Sequence, residues 1–535
     1  MAVASSTESL AEFRRRAAGG ALVPIVRRLM SDLLTPVLAY RRLVAPDERT
    51  APSFLFESVE TGGSVGRFSY LGAQPEIEII ARGHDVEWLN HRDGTSKTSH
   101  RDDPLMLLRE MTGHLTPAQF DPVGVAAASP RFTGGWVGYA AYDAVRYLEP
   151  RKLPFLAAPH DDRSLPDLHF ALYRQVAVFD HVAKILSAIH WVAIEEHGSL
   201  DDAWRAGCEA LDSFVERLAT HRHSLPAGEV RMNLQQRSAD DLKSNSERKE
   251  FEDAVRRVKQ YITAGDAFQV VLSQRFERQT DADPFDIYRA LRIVNPSPYM
   301  IYLQAAGAIL VASSPEILCR VQDGIVTNRP LAGTRRRGVN DEEDLQLERA
   351  LKSDEKERAE HIMLVDLGRN DLGRVCEAGS IRIERAMEVE RYSHVMHLSS
   401  TITGRLRKGL DCWDALRATL PVGTVSGAPK VRAMQIIDEL EPARRGPYAG
   451  GIGAVGFNGN MDIALALRTM VVPTGAWRGG TWTVHLQAGA GIVADSVPER
   501  EYEETVSKAA ALGMAIDLAE AALCKRQFPT GARVD

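Results

Sequence analysis

Residues 251–276, FEDAVRRVKQYITAGDAFQVVLSQRF, change hydrophobic rhythm half-way along. Phe251, Val255, Val258 and Ile262 recur at helical spacing and mark one face of a helix that stops near Gly265. FQVVLSQRF (268–276) then reads as a strand, and AAGAILVASS (305–314) as a second. Helices are expected near 341–366, 428–440 and 499–522. The first half adds strand-like PEIEIIARG (75–83), HFALYRQVAVFD (169–180) and KILSAIHWVAI (184–194), with helices around 104–114 and 201–219. Strands and helices alternate without a βαβ rhythm. The expected class is α+β with antiparallel sheets.

The 535-residue chain has room for two or three domains. Its net charge, 65 minus 72 or −7, argues against a general nucleic-acid or membrane-surface partner and leaves small molecules or proteins. Cys208, Cys319, Cys376, Cys412 and Cys524 lack CxxC spacing, which fits a reducing cytosol. No apolar run approaches ~18 residues, and no targeting peptide is evident. The polar segment 222–246 is the best boundary. It divides an N-terminal region, 1–235, from a second domain, 246–525.

The chemistry concentrates in the second half. In DEKERAEHIMLVDLGRNDLGR (354–374), Met363, Leu364 and Leu367 follow Glu360 at i+3, i+4 and i+7, so Glu360 shares the face that turns inward. A carboxylate there needs a cation, a donor or a metal; otherwise it sits at the stripe's edge in water. In the C-terminal segment 498–522, Glu501, Glu504, Thr505 and Lys508 form a polar stripe, with Tyr502, Val506 and Ala509 on another face. QAGAGIVADS (487–496) precedes it, and Gly489 and Gly491 in a strand-like run mark a bulge or the close approach of a ligand. PVGTVSGAPKVRAMQIIDELEP (421–442) is a small-residue loop entering a helix, with Lys430 and Arg432 placed to welcome an anion; it lacks Walker spacing. GPYAGGIGAVGFNGNMDIALALRTM (446–470) reads as a glycine-laden strand pair turning at Gly459, with Tyr448 and Arg468 as anion donors.

These stretches, with RPLAGTRRRG (329–338) and ERYSHVMH (390–397), resemble the chorismate-utilising enzyme family over roughly residues 250–520. FLFESVETGGSVGRFSYLGAQP (54–75) extends the resemblance more weakly. The resemblance implies a large antiparallel β-sandwich with helices packed outside. It also implies a lyase activity: chorismate plus ammonia gives anthranilate and pyruvate with Mg2+, the first committed step of tryptophan biosynthesis. Carried over by position, Glu360 and Glu504 would ligate the metal, and Glu316 in SSPEIL would be the general acid. His397 and Thr424 would belong to the catalytic set. Thr424, Tyr448, Arg468, Lys508 and the backbone at Gly489 and Gly491 would bind substrate.

Two positions sort the chain within the family. Water-adding relatives carry a lysine base where Gln269 stands, and aminodeoxychorismate synthases typically carry a lysine at the counterpart of Ala332. Both residues favour ammonia and the ortho product. The alternatives are an aminodeoxychorismate synthase component I or an inactive amino-acid-sensing relative. No GxCxG-like nucleophile appears, so a separate glutamine amidotransferase subunit is the expected ammonia source, in a hetero-oligomer. Feedback inhibition by tryptophan is implied at Glu57, Ser58, Asn295, Pro296, Ser297, Pro298, Tyr299 and Met300, with Phe56 replacing the usual leucine.

Overall fold

The computed structural model describes residues 9–58, 66–120, 129–220, 223, 225–230, 242–391 and 395–523. Cys524 and most of the 222–246 boundary lie outside them. Among the described residues, two antiparallel sheets of twelve strands each form the frame. One runs from the edge strand Leu22–Met30 through Ser53–Glu57, Tyr299–Ala305 and Ala308–Ser314 to Trp482–Ile492 and Gln269–Thr280. The other runs from Leu331–Arg336 and Val395–Arg405 through Met461–Leu465 and Gly135–Ala140 to Asp85–Asn90 and Ser96–His100. Each sheet draws strands from both halves of the sequence.

Strand periodicity explains the layers. Ile301, Leu303, Leu310 and Ala312 enter the core between the sheets, while Met300, Tyr302, Ile309 and Val311 enter a second core beneath helices on the outer face. Both faces of these strands are covered, so they read as unbroken apolar runs. The helices Pro284–Val294 and Pro498–Leu523 close that outer layer, and Arg248–Thr263 and Lys430–Leu440 cover Val270 and Leu272. Among the described residues, no helix is long and apolar enough to cross a membrane.

The expected helices 104–114 and 201–219 form as Pro104–His114 and Leu200–Ala219, and the 251–265 helix runs Arg248–Thr263. Two expectations change. The span 341–366 is two helices, Asp341–Ser353 and Glu355–Gly373, because the Asp354 carboxylate accepts from the amides of Lys356 and Glu357, both at 3.1 Å, and starts a new helix. HFALYRQVAVFD splits at Arg174 into Leu168–Tyr173 and Gln175–Asp180, which join different sheets.

Candidate active site

Helix Glu355–Gly373 lies close on the second sheet. A Cβ at Gly368 would stand 2.6 Å from Asn328 Oδ1, so glycine sets the approach. The buried face is His361, Leu364, Gly368, Asp371 and Leu372. Glu360, Met363 and Leu367 flank it and are half-buried, so the inward stripe is rotated from the one expected. Glu360 Oε1 accepts from Gln269 Nε2 at 2.8 Å. Burial raises the Glu360 carboxyl above its ordinary range, and the charges of Glu357 and Glu504 push the same way. Gly491 faces this pair: a Cβ there would lie 2.8 Å from Gln269 Nε2 and 3.7 Å from Glu360 Oε1.

Glu504 and Lys508 stand one turn apart on the C-terminal helix, 48% and 52% exposed, with Nζ to Oε1 at 2.7 Å. Lys508 Nζ also donates to the Gly489 carbonyl at 2.9 Å, tying helix to strand. Thr505, expected on the polar stripe, is buried beside Ala509, and its Oγ1 accepts from Gln274 Nε2 at 2.6 Å. Tyr448 is buried, and its hydroxyl faces Gly489, where an added Cβ would approach it to 3.1 Å.

Glu316 is fully enclosed where the strand Ala308–Ser314 gives way to Ile317–Gln322. Its Oε1 accepts from Thr424 Oγ1 at 3.1 Å, and its backbone is fixed by the Leu465 amide donating to the Glu316 carbonyl at 2.9 Å. Burial pushes the carboxyl up to about 8, which the Thr424 hydroxyl and the Leu331 amide only partly oppose. At neutral pH it is a carboxylic acid.

His397 is buried on Val395–Arg405. Nδ1 lies 3.0 Å from the Gly333 carbonyl and 3.2 Å from Thr334 Oγ1. A carbonyl can take only an N–H from imidazole, so Nδ1 carries the proton and Nε2 the lone pair. Burial lowers the ring to about 4, helped by the positive charges of Arg468 and Lys508. Arg468 and Lys508 are thus near enough for their charges to act on the ring. Arg468 holds φ of +47°, unusual for a branched-free long side chain, and its carbonyl accepts from the Ser313 amide at 3.1 Å.

Lys430 and Arg432 are not available to an anion. Lys430 Nζ contacts both oxygens of buried Asp371 at 2.7 Å, and Arg432 Nη2 donates to Asp266 at 2.8 Å. An apolar run with no acidic residue at helical spacing near Lys430 hid its partner, which comes from another helix. Reading the sequence likewise missed that Gln269 holds Glu360, a contact across 91 residues.

A separate cavity lies between the sheets. Its first wall is Phe56, Glu57 and Ser58 with Pro298, Tyr299 and Met300 of the strand paired to theirs, and Arg320, Ile452 and Asp462 of the second sheet face them. Asn295, Pro296 and Ser297 do not line it: Ser313 Oγ donates to the Asn295 carbonyl and lies 2.9 Å from Ser297 Oγ, whose hydroxyl can donate to it. Glu57 accepts from the Tyr288 hydroxyl at 2.6 Å and from Arg292 Nη2 at 3.2 Å. Ser58 Oγ is buried with no hydrogen-bond partner among the described residues.

The two-sheet frame that carries these residues has a counterpart among solved structures. Residues 52–513 match the family described as chorismate binding enzyme, and the chain belongs to that family. Among its relatives are anthranilate synthase subunits. It is 54% identical to anthranilate synthase alpha subunit 1, chloroplastic, of Oryza sativa subsp. indica, covering 96% of this chain and 91% of that one. It is 52% identical to the Arabidopsis thaliana protein of the same name, covering 98% and 90%. The crystal structure of anthranilate synthase component I from Streptococcus pneumoniae superimposes with a TM-score of 0.69 at 36% identity, over 91% of this chain and 99% of that one.

Proposed function

We propose that this chain is the large subunit of an anthranilate synthase, a lyase that converts chorismate and ammonia to anthranilate and pyruvate. The observation that carries the reading is Glu316, an enclosed carboxyl held protonated near neutrality beside Thr424. Replacing the C4 hydroxyl of chorismate requires that hydroxyl to leave as water, and a neutral acid supplies the proton. Arg468 and Lys508 meet the two substrate carboxylates, with the guanidinium offering a bidentate fork. Tyr448 and the backbone at Gly489 and Gly491 bound the ring pocket, and neutral His397 orients the substrate through Nε2. Gln269 cannot deprotonate water, but its buried Oε1 has no hydrogen-bond partner among the described residues and can accept from ammonia.

Mg2+ suits the donors at the other end. Glu360, with Glu357 and Glu504 adding negative charge, is an all-oxygen set whose raised carboxyl a cation would relieve. Glu360 and Glu504 would hold the ion, Glu504 exchanging part of its contact with Lys508. When bound, the metal neutralises the substrate's ring carboxylate.

The 246–525 region carries this site, and the 1–235 region contributes Glu57 and Ser58 to the second cavity, which we assign to tryptophan as feedback inhibitor. Ammonia reaches the site from a glutamine amidotransferase subunit. We place the protein in the cytoplasm, where Cys319, Cys376 and Cys412, which form no disulfide among the described residues, would stay reduced. The test is turnover of chorismate by the purified chain with Mg2+ and ammonium, followed by anthranilate fluorescence. Absence of a fluorescent product would overturn the reading.

A further inference from the structure

At the opposite edge of the second sheet from His397, the turn after Ile77–Arg82 brings His84 beside the end of Ser96–His100. Antiparallel pairing sets Asp85 against His100, so the two imidazoles and Asp102 converge from a hairpin and the adjoining edge strand. One ligand atom from each of His84, His100 and Asp102 lies within 4.8 Å of the other two. We propose that these three residues form a binding site for a zinc-like divalent transition ion, distinct from the carboxylate cluster of the active site.

Three features argue for it. The ring centroids of His84 and His100 are 5.3 Å apart; two imidazoles on one tetrahedral zinc, with Zn–N about 2.0–2.1 Å, bring their centroids to roughly 5 Å. His84 Nδ1 lies 3.1 Å from the Arg101 carbonyl, which fixes the N–H there and turns the Nε2 lone pair outward, as backbone carbonyls do for histidine ligands. The His84 ring is also held edge-on by Phe155 and Tyr147, at 5.4 and 6.0 Å, while the Tyr147 hydroxyl donates to the Gly83 carbonyl at 2.6 Å and anchors the turn. Little ordering of His84 therefore remains for the metal to impose, while the exposed His100 and Asp102 are ordered on binding.

The donor set decides the ion. Two imidazoles and one carboxylate select Zn2+, Ni2+ or Cu2+ and give Mg2+ no advantage. A fourth position stays open to solvent, and the bound ion staples the edge strand to the hairpin. The site stands whether or not the reading of the active site does.

The test titrates tag-free full-length chain with Zn2+ against a chromophoric chelator in saturating Mg2+. One equivalent should bind, and His84→Ala and His100→Ala should each weaken it by roughly tenfold or more. Zinc should raise the thermal midpoint of the parent chain and not of the double variant. Mg2+-dependent turnover should be the same in the parent, both single variants and the double variant. Equal zinc uptake by the parent and the double variant, or no uptake by the parent, would overturn the proposal. A double variant with an unchanged thermal midpoint before metal is added would establish that lost binding is not lost folding.

Discussion

Gln269 Nε2 donates to Glu360 Oε1 at 2.8 Å, joining the strand Gln269–Thr280 to the helix Glu355–Gly373 at the point where Gly491 leaves room for both. The bond orients a carboxylate that burial would otherwise drive toward its neutral form. Gln269→Leu removes the donor without adding charge. The half-saturating Mg2+ concentration and the KM for ammonium should each rise by roughly tenfold, as for other supports of a ligand. Magnesium and ammonium titrations indistinguishable from the parent would show that the contact is only structural.

Glu360→Gln keeps an oxygen that accepts from Gln269 but loses the charge. The fold should persist, with a thermal midpoint at or above the parent's, since a desolvated carboxyl has been replaced. Mg2+-dependent kcat/KM should fall by more than about a hundredfold. Circular dichroism and steady-state kinetics on the same preparation separate the two effects.

Glu316 gives a pH signature in activity and stability. Its folded value, about 8, lies above the ordinary 4.5. Its contribution to stability is complete below about 4.5 and is lost as pH rises to about 8, at up to about 1.4 kcal/mol per unit. Urea midpoints of the parent should therefore fall relative to Glu316→Gln between pH 5 and 8, and the gap should stop widening above about 8. Turnover should decline above the same pH as the acid ionises. Parallel stability profiles for the two proteins would remove the basis for a neutral Glu316.

The second cavity predicts a separation of inhibition from catalysis. Ser58 Oγ is buried on the wall without a partner among the described residues, so Ser58→Phe fills part of the cavity proposed for tryptophan. Tryptophan should inhibit roughly tenfold less strongly or worse, a loss of about 1.4 kcal/mol in binding, while uninhibited turnover stays near the parent's. Inhibition curves that overlay would place the tryptophan site elsewhere.

Local rules made much of this fold legible. Pro104 and His114, or Ser199 and Ala219, bracket helices whose caps and periodicity lie within the element itself. The break at Asp354 falls in the polar run KSDEKER (352–358), which reads equally well as the solvated face of one long helix, and only the cap geometry separates Asp341–Ser353 from Glu355–Gly373. The division at Arg174 is a tertiary decision, since both strands are apolar and each finds its partners in a different sheet. At the site, residue types were legible and partnerships were not. Glu360 was conspicuous as a carboxylate near an apolar stripe, yet Gln269, Gly491 and Glu504 meet it only after distant segments pair. Lys430 looked like an anion donor until Asp371, 59 residues away, proved to take its charge.

The central claim is the amination of chorismate at the ring followed by pyruvate loss. It is tested most directly by incubating the purified chain with chorismate, Mg2+ and 15N-ammonium and identifying the products by mass. The account predicts 15N-anthranilate and pyruvate in equal amounts. An amino-deoxychorismate that keeps its enolpyruvyl group, a hydroxylated product without 15N, or no turnover would contradict it.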